Sequence, residues 1–484
     1  MLRTSKHVNL LTSFLNEKRM LATLQNSTEQ LLSRAEAPIK LYEQLIRLIR
    51  QDTRTGLEGI QRIEVPLVDT DPLLWLQAQD VPVKTYWSDR DQKLRTAGIG
   101  DVLTLKGSDS TSTEMLLQRM RRILLKSSDA VRFYGGMRFN PDIPASKEWR
   151  NWSSVRFVLP EIELTWNQGC SNLACNVNLS ETWDQSRLEG LRQRLEKLAK
   201  PKSTSRSVYR YLKRTHLPGY ADWGTAVEKT LKQISAKVLQ KVVLARAAEF
   251  ELEQAYDPLE LLGALRMQAP HAYHFCFQLG RQQAFLGITP ECLYSRSSRW
   301  IQTEAVASTR PRSQIPGEDE RLAAELMKSA KEIREHQMVL ERMEQVMQKF
   351  CMQTSRSSFQ ELLKLRHVQH LRSRIEGQLK PEVYESTLFP AFHPTPAVCG
   401  TPDAEARSLI EELEPFDRGW YAGPVGWVNR KGAEFAVAIR SGLLLEKKLK
   451  IFTGAGIVQG SESESEWNEI EDKLRSWESI LESV

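Results

Sequence analysis

Apolar positions recur at approximately helical spacing across residues 318–351, EDERLAAELMKSAKEIREHQMVLERMEQVMQKFC, where Leu322, Leu326, Ile333, Met338, Leu340 and Met347 form one stripe. That spacing predicts the longest helix of the chain. Shorter helices are predicted near 183–199, near 222–238 and from about Glu464 to Leu481. Strands are predicted at KVVLARAAEFEL from Lys241, and at WYAGPVGWV, EFAVAIRSGLLLE and LKIFTGAGIV further on. SSVRFVLPEIELTW (153–166) predicts strands with a break at Pro160. Long helices and antiparallel-looking strands mix without the βαβ rhythm of a doubly wound sheet, which points to the α+β class.

Short polar stretches punctuate this pattern: KGSDSTSTE, KPKSTSRS, STRPRSQIPGEDE and QTSRSS read as loops or linkers. The second separates regions of different character. We therefore expect an N-terminal region, 1–214, that belongs to the same structural unit as a catalytic region, 215–484. No internal repeat is visible.

Composition narrows the classes. The chain has 484 residues, 41% of them hydrophobic and 26% charged, which suits a globular protein with a large core. Its net charge of +6 is small for that length and is compatible with a small anionic substrate. No basic stripe interleaves with aromatics, so nucleic acid is not expected as a partner. The six cysteines form no CxxC, and Cys170 with Cys175 lacks the second half of a zinc site, so a reducing compartment is the simpler reading. No apolar run approaches the roughly 18 residues of a membrane span. At the N-terminus Arg3, Lys6, Lys18 and Arg19 face a single acid, Glu17, without a continuous apolar segment. An amphipathic helix and a cytoplasmic protein are expected, with a plastid the alternative if this segment is a transit peptide.

Two ExxE motifs carry the first chemical suggestion. Glu332 and Glu335 share one helix face, and so do Glu466 and Glu469. Either pair alone reads as a solvated face. Brought together, four carboxylates repel and call for a cation, for which magnesium, with its preference for oxygen ligands, is the natural choice. Lys473, four residues after Glu469, is either an ion-pair partner on that face or a cation for a substrate carboxylate. Gly454, Ala455 and Gly456 let backbone approach a ligand closely, although the spacing is not that of a phosphate loop. Arg440 closes an apolar strand, either at a surface edge or at a pocket mouth where it binds carboxylate. Lys241 is a strand-edge lysine in water or, if it points inward, an amine whose pKa burial lowers until it can act as a base. Glu291, among apolar neighbours after LGITP, is a candidate general acid. His367 and His370 form HxxH without a third metal ligand, and His393 opens a rigid His-Pro-Thr-Pro turn.

Taken in order, KVVLAR (241–246), GITPECL (287–293), KEIREH (331–336), VQHLRSRIEG (368–377), HPTPAVCG (393–400), YAGPVGW (421–427), FAVAIR (435–440) and GAGIV followed by EWNEIEDK (to 473) resemble the chorismate-utilising enzymes. The resemblance covers most of 222–484. It implies large antiparallel sheets packed in a sandwich-like core with helices outside, chorismate as substrate, magnesium as cofactor and a monomer. It also implies roles. Lys241 resembles the base that activates water, and Glu291 the acid that protonates the departing ring hydroxyl. Glu335 and Glu469 resemble the direct magnesium ligands, with Glu332 and Glu466 acting through water. Arg440, Tyr421, Lys473 and the Gly454–Gly456 backbone resemble the substrate-anchoring set, and His370 a histidine near the ring.

Within that family, Ala397 and Val398 in HPTPAVCG resemble the isochorismate synthases, which use water; ammonia-using members typically carry threonine at the position of Ala397. DPLLWLQAQ (71–79), YWSDRD (86–91), FYGGMRF (133–139) and FVLPEIEL (157–164) resemble the same group. The expected reaction is magnesium-dependent, reversible isomerisation of chorismate to isochorismate. A salicylate synthase, an aminating chorismate enzyme and a catalytically silent chorismate-binding protein are its rivals. One departure stands out: EAVASTRPR (304–312) has Ser308 where the family it resembles usually has glycine. If that backbone contacts substrate, Ser308 must hold a glycine's conformation without a glycine's freedom.

Overall fold

The structure, a computed structural model, describes residues 31–55, 59–107, 112–201, 208–357, 361–366 and 368–484. The basic N-terminal segment and His367 lie outside the described residues. Two large sheets dominate, one of 13 strands and one of 10 among the described residues.

The larger sheet starts with strands Ile60–Leu67, Cys170–Asn178, Ile162–Asn167, Leu94–Ile99 and Lys84–Ser88. It continues without a break into Tyr273–Gly280, Gln283–Thr289, Ser441–Leu445, Lys448–Val458, Lys241–Leu252 and Tyr209–Leu217. Lys84–Ser88 pairs directly with Tyr273–Gly280, so strands from both halves of the sequence share one hydrogen-bonded ladder. The smaller sheet likewise joins Arg132–Met137 to Pro424–Asn429. Its strands Trp300–Pro311 and Val368–Leu379 form its longest pair. Pairing is antiparallel throughout the named strands except where Leu481–Ser483 meets Tyr209–Leu217.

The alternation of side chains along each strand explains the layers. In Tyr273–Gly280, Tyr273, Phe275 and Phe277 enter the core shared by the two sheets, and Cys276 enters a second core. In Gln283–Thr289, Phe285 joins the first, whereas Ala284, Leu286 and Ile288 join the second. The second core also contains Leu41 and Leu45 of helix Glu36–Thr55 and Leu259, Leu262 and Leu265 of helix Pro258–Gln268. The larger sheet is therefore buried on both faces, against the smaller sheet on one side and helices on the other. Trp149, Trp152 and Trp420 fill the first core with edge-on ring contacts of 5.4–6.3 Å to one another and to Phe285. Truncating any of these rings to alanine costs roughly 3–5 kcal/mol.

Two predicted elements are each broken in two. The helix over 318–351 is Pro316–Lys328 followed by Ala330–Phe350. Ser329 between them is extended (φ −70°, ψ 115°), and its hydroxyl accepts from the Glu332 amide at 3.5 Å. The second helix thus restarts with Glu332 and Glu335 in its first turns. The strand over EFAVAIRSGLLLE is Gly432–Val437 in the smaller sheet and Ser441–Leu445 in the larger. Chain crossings of this kind recur at the break around Pro160, and at Pro290, where strand Gln283–Thr289 of the larger sheet gives way to Cys292–Ser297 of the smaller. Proline has no N–H to donate to a ladder, so each sits where a strand must leave its sheet. Glu291 and Arg440 both occupy such crossings.

Candidate active site

Lys241 opens strand Lys241–Leu252, whose neighbour Lys448–Val458 pairs Val243 with Gly456 and Ala245 with Gly454. The missing side chains matter here. A Cβ on Gly456 would lie 2.9 Å from Glu335 Oε1 and 2.9 Å from Lys241 Cε, and one on Gly454 would lie 3.0 Å from the Tyr421 hydroxyl. The glycines leave room for these three side chains. Ala455 points the other way, into the core, and does not line the site.

The resulting cavity, of about 80 Å³, is walled by Lys241, Glu291, Glu335, His370, Ala397, Val398, Tyr421, Arg440, Glu469 and Lys473. Residues spread over more than 230 positions of sequence meet there. Lys241 is only 1% exposed, so it is an inward lysine rather than a strand-edge one. Its Nζ donates to Glu335 Oε1 at 2.8 Å. Burial alone would push the Glu335 carboxyl up. The Lys241 charge and hydrogen bonds from Lys241 and Ser308 more than offset it and hold the group below its usual value. Glu291, 5% exposed beside Pro290, is less fully compensated: burial pushes its carboxyl up to about 7, against the weaker pull of Lys241 and Thr395. The Glu291 backbone is fixed by its amide, which donates to Thr289 Oγ1 at 3.3 Å, and by its carbonyl, which accepts from Val437 at 3.1 Å.

Arg440 lies at the crossing between sheets with φ 50°, and its carbonyl accepts from Ile288 N and Trp477 Nε1, both at 3.3 Å. Its guanidinium is buried, and burial lowers its pKa to about 10. It makes no ion pair among the described residues; Nη2 donates instead to His370 Nε2 at 3.1 Å. An arginine can only donate, so Nε2 of His370 is the acceptor and Nδ1 carries the proton. Nδ1 then faces the Ser308 carbonyl at 3.2 Å. Burial, reinforced by the Arg440 and Lys473 charges, holds this imidazole neutral, well below its usual pKa.

Ser308 is in the left-handed region, φ 63°. That conformation costs about 1–2 kcal/mol for a residue with a Cβ. The loop bearing Ala397 and Val398 is tied down on both sides. His393 Nε2 contacts the Phe139 carbonyl at 3.0 Å, and Arg418 Nη1 donates to the Val398 carbonyl at 2.8 Å.

The four glutamates converge, but as cation-compensated groups. Glu335 faces Lys241, and Glu469 Oε1 accepts from Lys473 at 2.6 Å. Glu332 faces Arg310 at 2.9 Å, and Glu466 faces Lys331 at 3.4 Å. Glu335 and Glu469 line the cavity; Glu332 and Glu466 stand behind it. Burial pushes the Glu466 carboxyl up, and Glu469 and Glu335 add to the rise, so these charges do crowd one another. Among the described residues no three acidic, histidine or cysteine groups stand at metal-ligand spacing as they are. Even so, the donor set suits a hard divalent cation, and Glu332 Oε2 is buried with no hydrogen-bond partner, an acceptor available to a metal-bound water. The residues present fit magnesium.

Sequence reasoning passed over Thr309 and Thr453, both in the cavity wall. The Thr453 hydroxyl is buried without a hydrogen-bond partner among the described residues. Neither threonine has a local signal; only the fold brings them to the site. A larger cavity of about 290 Å³ lies elsewhere, between helix Thr113–Leu125 and the turn at Arg430 and Lys431, and holds none of these groups.

A cavity with an inward lysine, a raised carboxyl, an unpaired arginine and paired glutamates on two helices, mounted on a two-sheet core, defines the class. Residues 46–482 match the family described as chorismate binding enzyme, and the chain belongs to that family. It is similar to isochorismate synthase 2, chloroplastic, of Arabidopsis thaliana, at 33% identity over 96% of this chain and 88% of that one. It is also similar to isochorismate synthase MenF of Escherichia coli, at 29% identity over 91% and 98% of the two chains. The solved structure of the Escherichia coli menaquinone-specific isochorismate synthase superposes with a TM-score of 0.80 at 27% identity, covering 92% of this chain and 99% of that one. Anthranilate synthase component I of Streptococcus pneumoniae shares the fold, with a TM-score of 0.69 at 21% identity.

Proposed function

We propose that this protein is an isochorismate synthase, a magnesium-dependent isomerase that interconverts chorismate and isochorismate. The observation that carries the reading is Arg440. A guanidinium that is 8% exposed and has no carboxylate partner among the described residues is a standing demand for an anionic ligand. Beside it in the same cavity are Lys241 and a Glu291 carboxyl held near 7, one candidate to accept a proton and one to give one.

In this reading Arg440 binds a substrate carboxylate, with Tyr421, Lys473 and the Gly454 and Gly456 backbone completing the anchor. His370, neutral and donating to Ser308, keeps the guanidinium oriented. Lys241 Nζ, once its pair with Glu335 has opened and it has given up its extra proton to become a neutral amine, takes a proton from a water that adds at ring carbon 2; solvent exchange afterwards removes that proton and restores the one Glu291 gives. Glu291 gives its proton to the hydroxyl leaving carbon 4. One water enters and one leaves, so the isomerisation balances. Glu335 and Glu469 would hold magnesium directly, and Glu332 and Glu466 through water. Bound there, the metal supplies positive charge that neutralises and fixes a second carboxylate. Positioning and electrostatics then provide much of the rate. Ala397 offers a methyl group and no hydroxyl where ammonia-using members typically carry threonine, which suits water as nucleophile.

The test is direct. Purified protein is incubated with chorismate, with and without magnesium, and the products are resolved by chromatography. Isochorismate formed only with magnesium, and lost in Lys241→Ala, is the expected result. Salicylate with pyruvate would assign a salicylate synthase instead. Chorismate left unconsumed would end the enzymatic reading. Two of the similar proteins are named as chloroplastic, and a reporter fused to residues 1–30 distinguishes a plastid from a cytoplasmic location.

A further inference from the structure

We propose that Ser308 is a positioning residue for the metal-binding carboxylate of Glu335. Two observations meet at this residue. First, its backbone occupies the left-handed region at φ 63°, where glycine is the unstrained choice and a side chain is tolerated only if something holds it. Second, its side chain is held. Ser308 Oγ lies 3.0 Å from Glu335 Oε2 and 2.8 Å from the Glu332 carbonyl, with its one proton to share between them. Ser308 itself is only 6% exposed.

The consequence follows from the opposite side of the carboxylate. Lys241 holds Oε1 at 2.8 Å, and Ser308 holds Oε2. With both oxygens engaged in the metal-free protein, the carboxylate faces the cavity it shares with Glu469, and Ser308 still holds Oε2 when the Lys241 pair opens. A glycine supplies the same backbone path but leaves Oε2 without that donor. The left-handed backbone that admits glycine is thus reused to aim a hydroxyl at a ligand. Partners that orient a metal-binding side chain commonly matter tenfold or more for metal affinity. This proposal rests on the reading of Glu335 as a magnesium ligand.

Two variants separate the hydroxyl from the backbone. Ser308→Ala keeps the strained conformation and loses the donor, whereas Ser308→Gly relaxes the strain and also loses it. Magnesium is titrated calorimetrically into the metal-free full-length protein, with Glu335→Gln as the control and thermal unfolding of each variant alongside. Both Ser308 variants should bind magnesium about tenfold more weakly than the parent. Ser308→Ala should be the less thermostable of the two. In turnover, the magnesium concentration for half-maximal rate should rise by the same factor. Affinities equal to the parent's in both Ser308 variants, with binding lost in Glu335→Gln, would overturn the role of Ser308 and leave the metal reading standing. Weakening in Ser308→Ala alone would assign the effect to backbone strain and also overturn it. Undiminished binding in Glu335→Gln, or no binding by the parent, would remove the metal reading and this proposal together.

Discussion

Replacing Glu291 with glutamine should make the protein inactive and, at alkaline pH, more stable. The change preserves shape and removes only the titratable group. In the folded protein burial holds the Glu291 carboxyl near 7, against 4.5 when it is free of that environment. The folded state therefore binds a proton more tightly than the unfolded one. Stability is untouched below about pH 4.5, declines as pH rises from 4.5 to 7, and stays lower above that. The shift corresponds to a penalty of about 3 kcal/mol above pH 7. Glutamine carries no such penalty. For a chain of 484 residues the unfolding entropy is about 1 kcal/mol/K, so the variant should melt roughly 3 °C higher than the parent at pH 8 and level with it at pH 5. Loss of a general acid should lower kcat about 10²- to 10⁴-fold. Calorimetric melting at the two pH values, alongside chorismate turnover, checks both halves. A variant within tenfold of parental activity would refute the acid role. A melting difference that does not change with pH would refute the buried-carboxyl argument.

Gly456→Ala tests the close approach: its Cβ would meet the ends of two flexible side chains, Lys241 Cε and Glu335 Oε1. The fold should survive, with melting within a few degrees, while displacement of that pair by even about 1 Å costs roughly 10² in turnover; wild-type activity would show that the Lys241–Glu335 contact does not matter. At acid pH the sign reverses. Burial holds His274 and His393 down to about 4, so below about 6.5 the unfolded chain binds protons that the folded one refuses. Each histidine should cost about 3 kcal/mol as pH drops from 6.5 to 4, opposing the gain from Glu291 over the same range; a His393→Gln variant should therefore lose less stability than the parent between pH 6.5 and 5, and urea midpoints of the two that shift equally with pH would contradict this.

How much of this was legible beforehand differs from element to element. The strand KVVLARAAEFEL, the helix of Glu466 and Glu469, and the break at Pro160 were readable, because period-2 and period-3.6 spacing and proline's missing N–H are local properties. The restart of the helix at Ser329 was not, since the apolar stripe runs through it and a single capping hydroxyl decides the break. The strand ending in Arg440 looked continuous for the same reason: FAVAIRSGLLL is apolar throughout, and nothing local says that its halves serve different sheets.

The sequence by itself determined the residue types and motifs: two glutamate pairs, a lysine, a glutamate after proline, an arginine, and the order in which they resemble one family. Tertiary structure alone decided which of several readings each took. Lys241 is inward because the larger sheet is covered on both faces, and Arg440 is unpaired because a sheet crossing carries it into a cavity lined by His370. Ser308 was visible only as a departure, and its contact with Glu335 comes from the fold. Chemistry carried by single side chains is written in sequence. The distances between them depend on sheet order and helix packing, which join residues hundreds of positions apart.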